Sequence, residues 1–190
     1  MAKDLEPSVQ KIGKYIVIDV IGTGGMGIVY RARDAALNRT VAIKMLKRSS
    51  APEAQAKQVE KFFNRELLAT ASLQHRNIVT VYESGEEDGD PYLVMECLEG
   101  EPISRIIAER RPMPVVEKLD ILIQVCDGLQ YAHDRRPQVI HRDIKPANVI
   151  LLKDGTAKLV DFGIARIAGS ETAVTQTGQL VGTFSWCPQM

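Results

Sequence analysis

Residues 28–46 read IVYRARDAALNRTVAIKML, and this stretch decides the fold. Val29, Arg31 and Arg33 alternate with Ile28, Tyr30 and Ala32, the period of two expected of a strand with one face turned inward. A turn over 35–39 leads into a second β-branched run, Thr40 to Met45, so the segment predicts strand, turn, strand. Upstream, YIVIDVI (15–21) is a further strand that ends in a glycine cluster: Gly22, Gly24, Gly25 and Gly27. A glycine hairpin between two strands follows. Its backbone N–H groups can approach an anion closely because no Cβ intervenes.

The glycines at 22, 24 and 27 satisfy G-x-G-x-x-G, a pattern shared by unrelated sites, so context has to separate them. A dinucleotide site needs a helix directly after its glycines, to hold the pyrophosphate at the helix N-terminus, whereas here a strand follows. A P-loop needs Lys and then Ser or Thr after the last glycine, where this chain has Ile28 and Val29. Neither applies.

From Pro52 to Leu73 the period changes to that of a helix, with Val59, Phe62, Phe63, Leu67 and Leu73 as its apolar stripe. Glu66 falls inside the stripe. A carboxylate there is tolerated when paired, so a cation is expected to reach it from another element. Two strands, IVTVYES (78–84) and PYLVMEC (91–97), follow with an acidic turn between them. The second half opens with a Gly and Pro connector around one short helix. It continues in an amphipathic helix from Val115 to His133, whose core face is read as Leu119, Leu122, Cys126 and Leu129. Short β-branched pieces, QVIH, NVILL and AKLV, come next, with Asp154-Gly155 as a hairpin turn. From Gly169 the chain is rich in Thr, Ser and Gly and reads as a loop.

Composition narrows the functions. The 190 residues carry 24 Lys plus Arg against 24 Asp plus Glu, a formal net charge of zero, which disfavours nucleic-acid binding. With 45% apolar and 25% charged residues, the chain can bury a core. No apolar run approaches the roughly 20 residues of a membrane-spanning helix, and the expected location is cytoplasmic. Cys97, Cys126 and Cys187 are widely spaced and read as reduced structural thiols.

The glycine hairpin is followed in order by VAIK (41–44), HRDIKPAN (141–148) and DFG (161–163). Together these resemble the protein kinase signature set. Lys145, two residues after Asp143, resembles the Ser/Thr class, and GTGGMGIVYRARD (22–34) is similar to the bacterial eukaryotic-like Ser/Thr kinases. The resemblance implies an α+β bilobal fold. A polar tail would occupy 1–13, an N-lobe of antiparallel sheet plus one main helix 14–95, and a hinge with an incomplete helical C-lobe 96–190.

It also implies roles. Lys44 would meet the α- and β-phosphates of ATP and pair with Glu66, which answers the pairing demand above. Asp161 and Asn148 would hold Mg²⁺, Asp143 would orient the attacking hydroxyl, and Lys145 would neutralise the transferring γ-phosphoryl group. The nucleotide would lie beneath Ile21, Gly22, Thr23, Gly24, Gly25, Met26 and Gly27. Its base would sit between Val29, Ala42 and Ile150, with Met95 as gatekeeper and Glu96 to Leu98 as the hinge. His141 and Phe162 would pack beneath the helix bearing Glu66. Thr175 and Thr177 match activation-loop phosphosites, with Arg142 as a phosphate partner. The expected partners are protein Ser/Thr hydroxyls and a second copy for autophosphorylation.

After Gly182-Thr183 the family continues Pro-x-Tyr and later Pro-Glu, whereas this chain reads Phe184, Ser185, Trp186, Cys187, Pro188, Gln189 and Met190. The shortened second lobe leaves a second reading, a catalytically impaired ATP-binding or interaction module. A small-molecule phosphotransferase of related fold is a third reading, disfavoured by HRDIKPAN and the VTQT loop.

Overall fold

The alternation in residues 28–46 is realised as two paired strands of a six-stranded antiparallel sheet. The computed structural model describes residues 10–24, 27–46 and 71–162. The sheet order is β1 (Lys11–Ile12), β2 (Tyr15–Gly24), β3 (Gly27–Asp34), β4 (Arg39–Met45), β6 (Asp90–Glu96), β5 (Val81–Glu87). It begins at Lys11, inside the stretch read as a polar tail, because Lys11 and Ile12 pair with Ile16 and Tyr15. The fifth strand also starts later than read. Ile78 leaves the sheet to bridge Leu159.

β4 is buried on both faces, which explains why VAIK reads as one apolar run ending in a lysine. Val41 and Ile43 join Tyr15, Tyr30, Ala32, Tyr92 and Val94 in an outer cluster. Ala42 projects the opposite way, into a cluster with Ile21, Val29, Leu93, Met95, Leu98 and Ile150. Fully burying a side chain such as Ile43 contributes about 1.5–3 kcal/mol.

The chain then passes into a three-stranded sheet, β7 (Gly100–Pro102), β8 (Val149–Leu152) and β9 (Ala157–Leu159). β8 and β9 form the hairpin expected at Asp154-Gly155, with Val149 opposite Leu159, Ile150 opposite Lys158 and Leu151 opposite Ala157. Among the described residues the α-helices are α1 (Ile103–Ala108) and α2 (Val115–His133).

The bounds of α2 agree with the sequence reading, but its core face agrees only at Leu129. Ile121, Gly128 and Ala132 are buried, with Val125 and Leu129 packed beside them, while Leu119, Leu122 and Cys126 are exposed. The reason is close approach: a Cβ on Gly128 would stand 3.1 Å from Leu159 Cδ1 and 3.2 Å from Asn77 O, so the contact face takes small residues. QVIH forms no strand. Val139 instead donates its N–H to Ala132 O at 3.1 Å and closes the end of α2.

Candidate functional site

Between α2 and β8 the chain turns through His141 to Asn148, and His141, Asp143, Lys145 and Asn148 are each held by a named partner. Pro146 fits the start of a single 3₁₀ turn, Pro146–Asn148, where its missing N–H costs nothing. Asn148, 6% exposed, donates Nδ2 to Asp143 O at 2.8 Å and to Asp143 Oδ2 at 3.0 Å. Lys145 Nζ lies 2.8 Å from the same Oδ2. Partial burial pushes the Asp143 carboxyl up, but the bonds from Lys145 and Asn148 outweigh it and hold the group below the usual carboxylate range. Asp143 is therefore an anion aimed by two donors.

His141 is buried, and its Nε2 lies 3.0 Å from Val160 O. A carbonyl only accepts, so Nε2 carries the proton and Nδ1 accepts the Asp143 N–H at 3.4 Å. Burial pushes the His141 pKa down, partly offset by the bond to Val160. Its ring packs on Phe162 with centroids 4.5 Å apart; Glu66, beneath whose helix both were expected to pack, lies outside the described residues.

Lys44, 2% exposed on β4, reaches Asp161 Oδ1 at 2.6 Å across 117 residues of chain. The pair brings the cation of the six-stranded sheet to the end of the β8–β9 hairpin. Asp161 has φ 60° and Arg142 φ 62°, left-handed values that cost a non-glycine residue about 1–2 kcal/mol. Both outliers flank charged groups of this site. Val160 N–H donates to Asn148 O at 3.0 Å, locking the Asp161 end of the hairpin to the 3₁₀ turn.

The apolar residues expected around a base, Ile21, Val29, Ala42, Met95, Leu98 and Ile150, share one buried cluster with Val160. Gly22, Thr23, Gly24 and Gly27 lie at the β2–β3 hairpin, where Gly24 pairs with Gly27. Gly27 has φ 143°, and a Cβ on it would stand 1.9 Å from Met45 O, so glycine is required there. Gly25, Met26, Glu66, Thr175 and Thr177 lie outside the described residues. Burial pushes the Cys97 thiol up, in keeping with a structural cysteine.

Three residues escaped the sequence reading. Asn77, 2% exposed, donates Nδ2 to Ala157 O and to Gln124 Oε1, both at 2.8 Å. Gln124 also accepts the Ala157 N–H at 2.9 Å, which ties α2 to β9. Lys158 pairs with Glu96, and the alternation of β9 carried the signal: Ala157 and Leu159 are buried on one face, leaving Lys158 on the other.

A glycine hairpin, a buried apolar cluster, a buried lysine on an aspartate and an aspartate–lysine–asparagine cluster are the parts of a phosphotransferase fold of the kinase type. Residues 15–189 match the protein kinase domain model, and the chain belongs to that family. It is 40% identical over 175 residues to the probable serine/threonine-protein kinase PknB of Corynebacterium glutamicum, covering 90% of this chain and 26% of that protein. It is 40% identical over 171 residues to the serine/threonine-protein kinase PrkC of Bacillus subtilis, covering 90% and 26%. The crystal structure of the Mycobacterium tuberculosis PknI kinase domain superposes with a TM-score of 0.71 at 33% identity, over 85% of this chain and 62% of that one. The chain thus spans about a quarter of the length of these curated relatives. Among the described residues no helix is long and apolar enough to cross a membrane.

Proposed function

We propose that this chain carries the nucleotide-binding and phosphoryl-transfer site of a Ser/Thr protein kinase, with ATP as donor and Mg²⁺ as its metal. The observation that carries the reading is the Asp143 cluster, a carboxylate kept ionised and aimed by Lys145 and Asn148. Asp143 orients a substrate hydroxyl and accepts its proton, while Lys145 offsets negative charge on the transferred group. Lys44 holds the phosphates, and the Ile21 to Ile150 cluster excludes water from the base.

The donors suit a hard cation. Both bonds of Asn148 to Asp143 use Nδ2, which leaves the amide oxygen to serve as one metal ligand, with the Asp161 carboxylate as the other. No group of three or more His, Cys, Asp or Glu among the described residues could hold a metal alone. The remaining ligands would be water and phosphate oxygens, in keeping with Mg²⁺. Bound there, Mg²⁺ supplies charge neutralisation at the phosphates.

The names of the relatives support Ser/Thr hydroxyls as acceptors. The test is incubation of the 190-residue chain with Mg-ATP, followed by mass spectrometry. Phosphate on Thr175 or Thr177 that disappears in Asp143→Asn is the expected result. A chain that Mg-ATP stabilises but that incorporates no phosphate is a binding module instead.

A further inference from the structure

Glu96 ends β6 where the chain leaves the six-stranded sheet, and Lys158 stands at the centre of β9, three residues before Asp161. Their side chains are 21% and 13% exposed and meet at 2.7 Å. The same Glu96 Oε1 accepts the Thr80 N–H at 2.7 Å, and Glu96 N–H donates to Thr80 O at 2.9 Å. Lys158 Nζ also reaches Ile78 O at 3.5 Å. On the other side of that segment, Val79 N–H donates to Leu159 O at 2.9 Å and Leu159 N–H to Asn77 O at 2.8 Å. Residues 77–80 are therefore held between β9 and the end of β6.

Two charges so far withdrawn from water lose much of their hydration, and an apolar pair of similar volume would pack at less cost. What an ion pair adds is direction: a bond of one length between two fixed points. One point lies between Met95 and Leu98, at the edge of the apolar cluster expected around the base. The other faces Ile150 across the hairpin and lies on the strand that leads into Asp161. The pair of side chains connects the two ends of the proposed nucleotide site, the hinge role expected of Glu96 falling to its backbone and not to this carboxylate.

We propose that Glu96 and Lys158 are positioning residues that set the spacing between the base edge and Asp161, so that base and phosphates are engaged together. This rests on the nucleotide reading above.

Calorimetric titration of the 190-residue chain with Mg-ADP and, separately, with adenosine tests it. Glu96→Gln and Lys158→Met should each weaken Mg-ADP by roughly five- to tenfold, toward the lower end for a charge-assisted bond of this exposure. Adenosine, which engages one end only, should stay within about twofold of wild type in Lys158→Met, a residue outside the expected base contacts. The double variant should be no weaker than either single one, and Lys158→Arg should restore binding. Should Lys158→Met not fold, the near-isosteric Glu96→Gln with Lys158→Arg as its partner decides the matter. Unchanged Mg-ADP affinity, or equal weakening of both ligands, overturns the positioning role. A wild-type chain that binds no Mg-ADP sinks the nucleotide reading itself. Wild-type binding that is lost in Lys44→Met yet unaltered in Glu96→Gln sinks only the inference.

Discussion

Replacing Asn77 with alanine removes one side chain and two bonds from the junction of α2, β9 and the segment leading to β5. The amide is 2% exposed, and its bonds to Ala157 O and Gln124 Oε1 are both 2.8 Å. Each contributes about 0.5–1.5 kcal/mol net, and the void left beside Gly128 and Leu159 adds to the loss. About 2–3 kcal/mol follows, a lowering of the melting temperature by about 4–12 °C for a domain of this size. Asn77→Asp sharpens the argument, because it keeps the volume while turning a carboxylate toward two acceptors. It should cost more than alanine, about 3–5 kcal/mol. Thermal and urea denaturation of the three chains measure this, and amide exchange at Leu159, whose N–H bonds to Asn77 O, should quicken in both variants. A melting temperature for Asn77→Ala within 2 °C of wild type, or Asn77→Asp more stable than Asn77→Ala, would refute the hydrogen-bond account.

Three further outcomes follow from the site. Lys44→Met should weaken Mg-ADP binding by at least about tenfold in calorimetry, because a buried cation 2.6 Å from Asp161 is lost. Gly27→Ala should destabilise the chain by about 1–3 kcal/mol in urea and weaken nucleotide binding, since its Cβ would strike Met45 O at 1.9 Å. The lowered pKa of His141 makes the unfolded chain bind more protons just below the ordinary value of 6.5, so stability should fall as pH drops from about 6.5 toward 5. Urea melts between pH 5 and 8 should show that slope, and His141→Asn should remove this part of it.

The strands of the first half were legible because a half-buried strand writes its period into adjacent residues, as Val29 to Arg33 do. The bounds of α2 were legible for the same reason at period 3.6. Its orientation was not: Gly128 and Ala132 carry the tightest contact precisely because they are small, and a reading that ranks positions by hydrophobicity passes over them. Lys44, Asp143, Lys145, Asn148 and Asp161 were found from their motifs, and the structure brings them into two bonded groups. Asn77 and the Glu96 side chain escaped because their partners lie 80 and 62 residues away, a distance over which no local pattern operates. Leu119 and Leu122 show the converse, apolar residues whose exposed face the local period assigned to the core.

The two oxygen donors proposed for the metal stand at the two ends of one hairpin, Asn148 just before β8 and Asp161 two residues after β9. Neighbouring strands keep a spacing of about 4.8 Å, set by backbone hydrogen bonds rather than by side chains. The hairpin thus works as a gauge block: its width is the same whatever the core residues, and repacking Val149 or Leu159 cannot retune it. Residues added at the Asp154-Gly155 tip lengthen the gauge without changing its width. A slip of one residue would instead turn the side chains of the slipped strand to the opposite face, taking Ile150 out of the apolar cluster if β8 moved and Lys158 away from Glu96 if β9 did.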